Sequence, residues 1–239
     1  MVKIKNIVVL TGAGISAESG IRTFRDTGGL WEEHSIEKVA TPEAYAADPE
    51  LVLGFYNARR AQLSTVEPNP AHHALGRLEK GLLDGGGYLT LVTQNVDDLH
   101  ERGGADNVIH MHGELLSQWC RACDSKFKSR DDFTTSSVCP KCDHIGRVRP
   151  DIVWFGEMPY SMGAIETAVN NCDLFVSIGT SGAVYPAAGF VQLARGMRKQ
   201  TLEINLEPSE GSSFFHDSRL GKAGELVPIW VDEILEALT

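Results

Sequence analysis

Four of the five cysteines, Cys120, Cys123, Cys139 and Cys142, stand as C-x2-C-x15-C-x2-C near the middle of a chain of 239 residues. Each C-x2-C places two sulfurs on one tight turn, and two such knuckles supply the four thiolates that a tetrahedral Zn²⁺ takes. Two disulfides, or four unrelated core cysteines, would use the same residues. A strongly acidic chain with no secretory segment is, however, expected inside the cell, where disulfides are rare. One structural zinc ion is therefore expected, with the tetrahedron closed and no position left for a reactive water. Cys172, in Asn171-Cys172-Asp173, has no such partner and reads as a half-buried, inert thiol.

The cysteines interrupt a pattern of short Val/Ile/Leu-rich runs at Ile4 to Leu10, Tyr88 to Val92, Leu174 to Ile178, Thr201 to Leu206 and Leu226 to Val231. Continuous apolar runs of this length fit strands buried on both faces of a parallel, doubly wound sheet. Four of them end in small or polar groups: Thr11-Gly12-Ala13-Gly14, Thr93-Gln94-Asn95, Gly179-Thr180-Ser181 and Asn205-Leu206-Glu207. In open α/β sheets the ligand crevice lies outside the carboxyl ends of the strands, so the repeated polar tip marks a binding face. Between the first two strands, Asp48-Pro49 and Asn69-Pro70 each supply an N-cap with proline at N1. They predict helices through about Ser64 and about Leu83.

No run approaches the roughly 18 apolar residues of a membrane span, so a soluble, cytoplasmic protein is expected. The net charge of −10 speaks against a nucleic-acid surface and favours basic partners such as lysine-bearing proteins or peptides.

Gly12-Ala13-Gly14-Ile15-Ser16-Ala17 fits G-x-G-x-x-G/A directly after a predicted strand. Glycines there permit a tight turn and a close approach of backbone N–H groups to a pyrophosphate. A hydride-transferring dehydrogenase would show a second strand with an acidic end about 20 residues on. Residues 21–50 show none, and Arg22-Thr23-Phe24-Arg25 with Gly28-Gly29 follows instead, as a loop that encloses a dinucleotide which is consumed. A surface loop with incidental arginines is the plainer reading of that stretch.

Thr93-Gln94-Asn95-Val96-Asp97 puts two carboxamides and a carboxylate beyond a buried strand, suited to holding ribose and amide groups and to stabilising a positively charged sugar. His110-Met111-His112 follows, its two imidazoles on one face if extended. Histidine is the usual general base at neutral pH, although a His-x-His also suits a metal pair or a structural role.

Gly12-Ala13-Gly14-Ile15-Ser16, Ser19-Gly20-Ile21, Phe24-Arg25, Thr93-Gln94-Asn95-Val96-Asp97, His112-Gly113, the two cysteine knuckles, Pro150 to Glu157, Gly179-Thr180-Ser181 and Asn205-Leu206-Glu207 together resemble a sirtuin, in order over nearly the whole chain. The resemblance implies an α/β fold, a Rossmann-like doubly wound parallel sheet with a smaller zinc-ribbon plus helical domain. It divides the chain into 1-21, 71-112 and 151-239 as the NAD-binding domain, 22-70 as a cofactor-binding loop and helical module, and 113-150 as the zinc ribbon.

The activity implied is NAD-dependent protein-lysine deacylation, in which the acyl oxygen attacks C1′ of the nicotinamide ribose and nicotinamide leaves. A histidine then deprotonates a ribose hydroxyl, and water completes release of lysine and O-acyl-ADP-ribose. Carried onto this chain, the base is His112, which precedes the glycine, with Asn95 and Asp97 at the nicotinamide ribose and Gln94 and Val96 beside them. Gly12, Ala13, Gly14, Ser16 and Ala17 with Phe24, Arg25 and Trp31 contribute to the cofactor site. Gly179, Thr180, Ser181, Asn205, Leu206 and Glu207 line its adenosine side, and Ala223 closes over adenine. Val153, Trp154 and Phe155 resemble the strand that pairs with substrate backbone.

Tyr56 and Arg59 lie three apart on the helix after Asp48-Pro49 and so share a face. A phenol and a guanidinium there would hold a carboxylate at the far end of an acyl chain, although an amphipathic helix with its aromatic in the core and its arginines in water uses the same residues. The Tyr-x-x-Arg pair, with Ala40 sixteen residues before Tyr56 leaving room in the acyl pocket, resembles the bacterial desuccinylase-type sirtuins. Succinyl- and malonyl-lysine, with acetyl-lysine beside them, are the implied substrates. ADP-ribosyl transfer to protein uses the same activated ribose and is the competing enzymatic reading. A non-catalytic module binding nucleic acid through Arg121, Lys126, Lys128 and Arg130 is a further one, which the net charge opposes.

Overall fold

The computed structural model describes residues 4–21 and 35–238. The expectations placed on Arg22, Thr23, Phe24, Arg25 and Trp31 fall outside these residues.

Six parallel strands form the larger sheet: β1 (Asn6–Thr11), β2 (Tyr88–Thr93), β3 (Val108–His110), β7 (Leu174–Ile178), β8 (Gln200–Asn205) and β9 (Asp217–Leu220). Their order is β3-β2-β1-β7-β8-β9, and every neighbouring pair is parallel. The chain therefore winds outward from β1 in one direction, then returns to β7 and winds outward in the other. β1 and β7 flank the point where the strand order reverses, which is where α/β sheets open a crevice.

Alternation along β1 divides the core. Ile7 and Val9 pack with Leu75, Leu78 and Leu82 of α5 (Pro70–Asp84) and Val227, Trp230 and Val231 of α9 (Ala223–Glu236). Val8 and Leu10 face the opposite layer, with Ile165 and Val169 of α7 (Met162–Asn171) and Phe190, Val191 and Ala194 of α8 (Phe190–Gly196). Cys172 belongs to that second layer. It is fully buried rather than half-buried, and its thiol donates to Val169 O at 3.2 Å. Burial pushes this thiol up to about 11, which keeps it inert.

One predicted strand is a helix. Leu226 to Val231 lies within α9, where Val227, Trp230 and Val231 recur at helical spacing and are buried. A short apolar run fits a strand or a helix equally well until its length is known. The actual sixth strand, Asp217–Leu220, is a polar edge strand with no apolar run to announce it.

The second sheet is antiparallel, in the order β5-β4-β6, from β4 (Gly113–Cys120), β5 (Lys126–Lys128) and β6 (Val148–Ile152). Gly113 begins β4 at φ +82°, and a Cβ there would collide with the carbonyl of Asp151, so no other residue fits. The remaining helices are the short α1 (Ala13–Ser16), α2 (Ile36–Val39) and α3 (Pro42–Ala47), the longer α4 (Pro49–Gln62), and α6 (Leu99–Arg102) after β2. Asp48 caps α4 by accepting from Leu51 N at 3.0 Å, and Asn69 caps α5 by accepting from Ala71 N at 3.0 Å, as their sequences predict.

The docking of α4 on the second sheet fixes what its face presents. Arg60 is buried, donates Nε–H to Leu115 O at 3.0 Å and lies 3.9 Å from the Phe133 ring centroid. This arginine is therefore a core residue, and the amphipathic expectation of both arginines in water fails for it. Ala40, Val52, Tyr56, Leu115, Ile152 and Trp154 share one apolar cluster between helices and sheet.

Candidate active site

At the switch point the ends of β1 and β7 meet almost backbone to backbone. Gly12 N donates to Ile178 O at 3.0 Å and Gly14 N to Gly179 O at 2.8 Å. A Cβ on Gly12 or Gly14 would stand 2.8 Å from Gly179 O, and Gly179 itself has φ +62°. The glycines therefore serve close approach of two strand ends. The amides of Gly12 and Gly14 are themselves used in that junction.

Below this junction lies a buried polar network. Ser16 Oγ donates to Asp97 Oδ2 at 3.1 Å and accepts from Asn95 Nδ2 at 3.1 Å, and Asn95 Nδ2 also donates to Gly12 O at 3.2 Å. Asn95 and Asp97 are 8% and 6% exposed. Burial raises the Asp97 carboxyl to about 6, against the opposing bonds from Leu99 N and Ser16. His72 Nε2 lies 3.4 Å from Ser16 Oγ, while His72 Nδ1 accepts from Asn69 N at 3.2 Å. The latter bond puts the ring proton on Nε2. Burial lowers His72 to about 4, so it is neutral.

The sequence reading had Ser16, Asn95 and Asp97 but missed His72, as well as His100, whose Nε2 lies 2.9 Å from Thr11 Oγ1. The available signal was the capping pattern Asn69-Pro70-Ala71-His72, which puts a titratable side chain at N3 of α5.

The two histidines of His110-Met111-His112 bond to the successive carbonyls just past β2, and the chain turns after His110 rather than staying extended. His112 Nδ1 is 3.1 Å from Gln94 O and His110 Nδ1 is 3.3 Å from Asn95 O. A carbonyl only accepts, so each ring carries a proton on Nδ1. Burial lowers the pKa of His112, with the bond to Gln94 a smaller opposing effect, so its Nε2 holds a free lone pair at neutral pH. For His110 burial also lowers, but the carboxylate of Glu101, 2.7 Å from Nε2, overcomes it and the net shift is upward. Glu101, His110 and Glu114 form a cluster of possible metal donors, with the ammonium of Lys128 on Glu114. His112 is not among these donors.

On the β7 and β8 side, Thr180 Oγ1 accepts from Gln94 Nε2 at 3.2 Å and Thr180 O accepts from Asn205 Nδ2 at 2.8 Å. These contacts tie Gly179, Thr180 and Asn205 to the β2 tip. Ser181 is half-buried, Leu206 and Glu207 are exposed, and Ala223 is buried at the start of α9. All stand beyond the carboxyl ends of their strands or at the adjoining helix start, on the same edge as Gly12.

Val153, Trp154 and Phe155 lie past the end of β6 and are not a strand of the second sheet. Val153 N donates to His112 O and Phe155 N to Ala40 O, both at 2.9 Å, so the segment links the histidine to α2's end. Phe155 is 48% exposed, whereas Trp154 is 2% exposed and turned inward. Its Nε1–H donates to Tyr56 Oη at 2.9 Å. Arg59 lies half-buried over Phe55, 5.1 Å from the ring centroid, and its charge is felt at the Tyr56 hydroxyl.

The four cysteines converge. Cys120 Sγ is 3.7 Å from Cys142 Sγ, and Cys123 Sγ is 3.8 Å from Cys139 Sγ. A tetrahedron of sulfurs about 2.3 Å from a central Zn²⁺ has edges of about 3.8 Å. The donor set and its spacing fit one structural zinc.

A model of the Sir2 family matches residues 12–186, from the glycine turn through both cysteine knuckles to the segment after β7. The chain belongs to the Sir2 family. It is 58% identical over 233 residues to an NAD-dependent protein deacylase of Vibrio parahaemolyticus, covering 97% of this chain and 95% of that one. It is 53% identical over 233 residues to an NAD-dependent protein deacylase of Leishmania major, covering 96% of each. Among solved structures, a Sir2 homologue in complex with NAD aligns over 99% of this chain and 92% of its own, with TM-score 0.86 and 37% identity. A Sir2 protein bound to an acetylated peptide aligns over 97% and 94%, with TM-score 0.80 and 25% identity. The Rossmann-like sheet and zinc-ribbon arrangement expected from the sequence is the fold of this Sir2-family chain.

Proposed function

We propose that this Sir2-family chain is an NAD-dependent deacylase of protein lysines, removing succinyl, malonyl and acetyl groups as nicotinamide, O-acyl-ADP-ribose and free lysine are formed. NAD is the co-substrate, and the zinc ion is structural. The observation that carries this reading is His112: a neutral imidazole with its proton fixed on Nδ1 by the carbonyl of Gln94, the residue next to the buried Asn95, so that Nε2 is the unprotonated nitrogen. A neutral imidazole so oriented takes a proton from a ribose hydroxyl.

Asn95 and Asp97 hold the nicotinamide ribose and amide while the acyl oxygen attacks C1′ and nicotinamide departs. His112 then deprotonates a ribose hydroxyl for attack on the resulting imidate. Gly179, Thr180, Ser181, Asn205, Leu206 and Glu207 line the adenosine side, with Ala223 at its end. Tyr56 and Arg59 recognise a carboxylate at the end of the acyl chain, and Ala40 leaves that pocket open. The segment at Val153 and Phe155 receives the substrate backbone. The protein acts on acylated proteins or peptides in the cytoplasm, without nucleic acid or membrane. Among the described residues no helix is long and apolar enough to cross a membrane.

Mass spectrometry of matched succinyl-lysine and acetyl-lysine peptides, incubated with NAD and either the wild type or His112→Ala, tests this directly. NAD-dependent loss of an acyl group with appearance of acyl-ADP-ribose, absent in the variant, is expected. An ADP-ribosylated protein in place of acyl-ADP-ribose would instead identify a transferase, a reading that the deacylase relatives disfavour.

A further inference from the structure

The indole of Trp154 is one of the most tightly held side chains near the acyl pocket. Arg149 lies across its face at 3.6 Å from the ring centroid, and the Tyr45 ring lies 5.3 Å away. Arg149 is 2% exposed and forks onto Glu157, with both N–H···O distances 2.8 Å. Glu157 Oε2 also accepts from Trp154 N at 2.9 Å, so backbone and ring are fixed by the same ion pair. The one polar atom of this ring is aimed at Tyr56 Oη.

We propose that Trp154 is a positioning residue for acyl selection: its Nε1–H occupies a lone pair of Tyr56 Oη and leaves the phenolic hydrogen to donate toward an acyl carboxylate. An indole N–H only donates, whereas a phenol both donates and accepts. Without the indole N–H, the buried hydroxyl has no fixed rotor and can turn its lone pairs toward an incoming carboxylate. The Arg149 and Glu157 pair keeps the indole in register, so selection extends to groups that never touch substrate. Burial also holds the Tyr56 phenol well above its ordinary pKa, which keeps the donor proton in place. This inference rests on the proposed role of Tyr56 and Arg59 in carboxylate recognition.

The test compares wild type, Trp154→Phe, Tyr56→Phe and the double variant on matched succinyl- and acetyl-lysine peptides with NAD. The readout is the ratio of succinyl to acetyl kcat/KM. Phenylalanine keeps an aromatic face under Arg149 but removes both the donor and part of the ring volume, and the Tyr56→Phe background separates the two effects. Trp154→Phe is expected to lower the ratio about fivefold, through the succinyl KM, and to add nothing in the Tyr56→Phe background. An equal fall in both backgrounds would mean simple packing and would overturn the proposal. So would an unchanged ratio in Trp154→Phe when Tyr56→Phe and Arg59→Met both lower it. A ratio indifferent to Tyr56→Phe and Arg59→Met removes the carboxylate reading itself. If Trp154→Phe does not fold, the indole ¹⁵N–¹H resonance of Trp154 is compared between wild type and Tyr56→Phe. An upfield proton shift on loss of the acceptor supports the proposal, and an unmoved resonance overturns it.

Discussion

His112 and Gln94 are joined by a hydrogen bond of 3.1 Å from the imidazole Nδ1 to a backbone carbonyl, which fixes the tautomer of the ring without lending it a negative charge. His110, two residues earlier, has a carboxylate partner and shifts upward. Burial, with no such carboxylate to oppose it, leaves His112 below its ordinary value, free base at neutral pH.

Activity is therefore expected to be level through neutral pH and to fall only on the acid side, below the ordinary imidazole range, where His112 protonates. A kcat/KM profile on an acyl peptide reads this limb. His112→Ala should lose about 10²- to 10⁴-fold. An acidic limb with its midpoint above 7 would contradict the assigned environment.

Stability against pH reports the network under the site. His72 is lowered from 6.5 to about 4, so it contributes stability that is present above 6.5 and lost as pH falls through 4. Asp97 is raised from 3.8 to about 6, so the fold is favoured where it is protonated and loses stability as pH rises from 3.8 through 6. Each shift corresponds to about 3 kcal/mol, and the two oppose each other between pH 4 and 6. Asp97→Asn is thus expected to be more acid-labile than the wild type relative to its own stability at pH 7. His72→Gln should be less so. Urea midpoints at pH 4.5 and 7 compare all three proteins, and parallel shifts in every variant would sink the account.

The zinc ion should hold the cysteine end of the β4, β5 and β6 sheet, where the apolar cluster of Cys120, Cys139 and Val148 with Phe127 and Cys142 is small. One zinc per chain is expected by elemental analysis. Chelation, or Cys123→Ser, should lower the melting temperature and abolish activity although no catalytic group is removed. Full activity in a metal-free, folded protein would show that the cysteines are dispensable.

Much of this was legible in the sequence because its signals were local. Two C-x2-C knuckles, proline-led helix caps and apolar runs each depend on residues close together in the chain. The sheet's last strand escaped because Asp217–Leu220 is an exposed edge with no apolar run, and its place was given to the apolar face of α9. His72 escaped because its meaning comes from Ser16, fifty-six residues away, and only the fold brings them together. Trp154 was legible as a place but not as a direction. Its segment was expected to pair with a peptide, and tertiary packing turned the indole inward.

The same packing bears on acyl choice at Arg59. Two adjacent arginines on α4 have different surroundings: Arg60 is consumed by Leu115, Asn57 and Phe133, whereas Arg59 lies half-buried near Tyr56. A charge-assisted bond to a terminal carboxylate contributes about 1.5–3 kcal/mol. Arg59→Met should therefore lower the succinyl to acetyl ratio of kcat/KM by about 10- to 100-fold, since an acetyl methyl has nothing to offer a guanidinium. Steady-state kinetics on the two peptides at low and high salt measures it, and the wild-type preference should weaken with salt while the variant's does not. Equal losses on both peptides would mean that Arg59 supports the fold of α4 rather than reading the acyl chain.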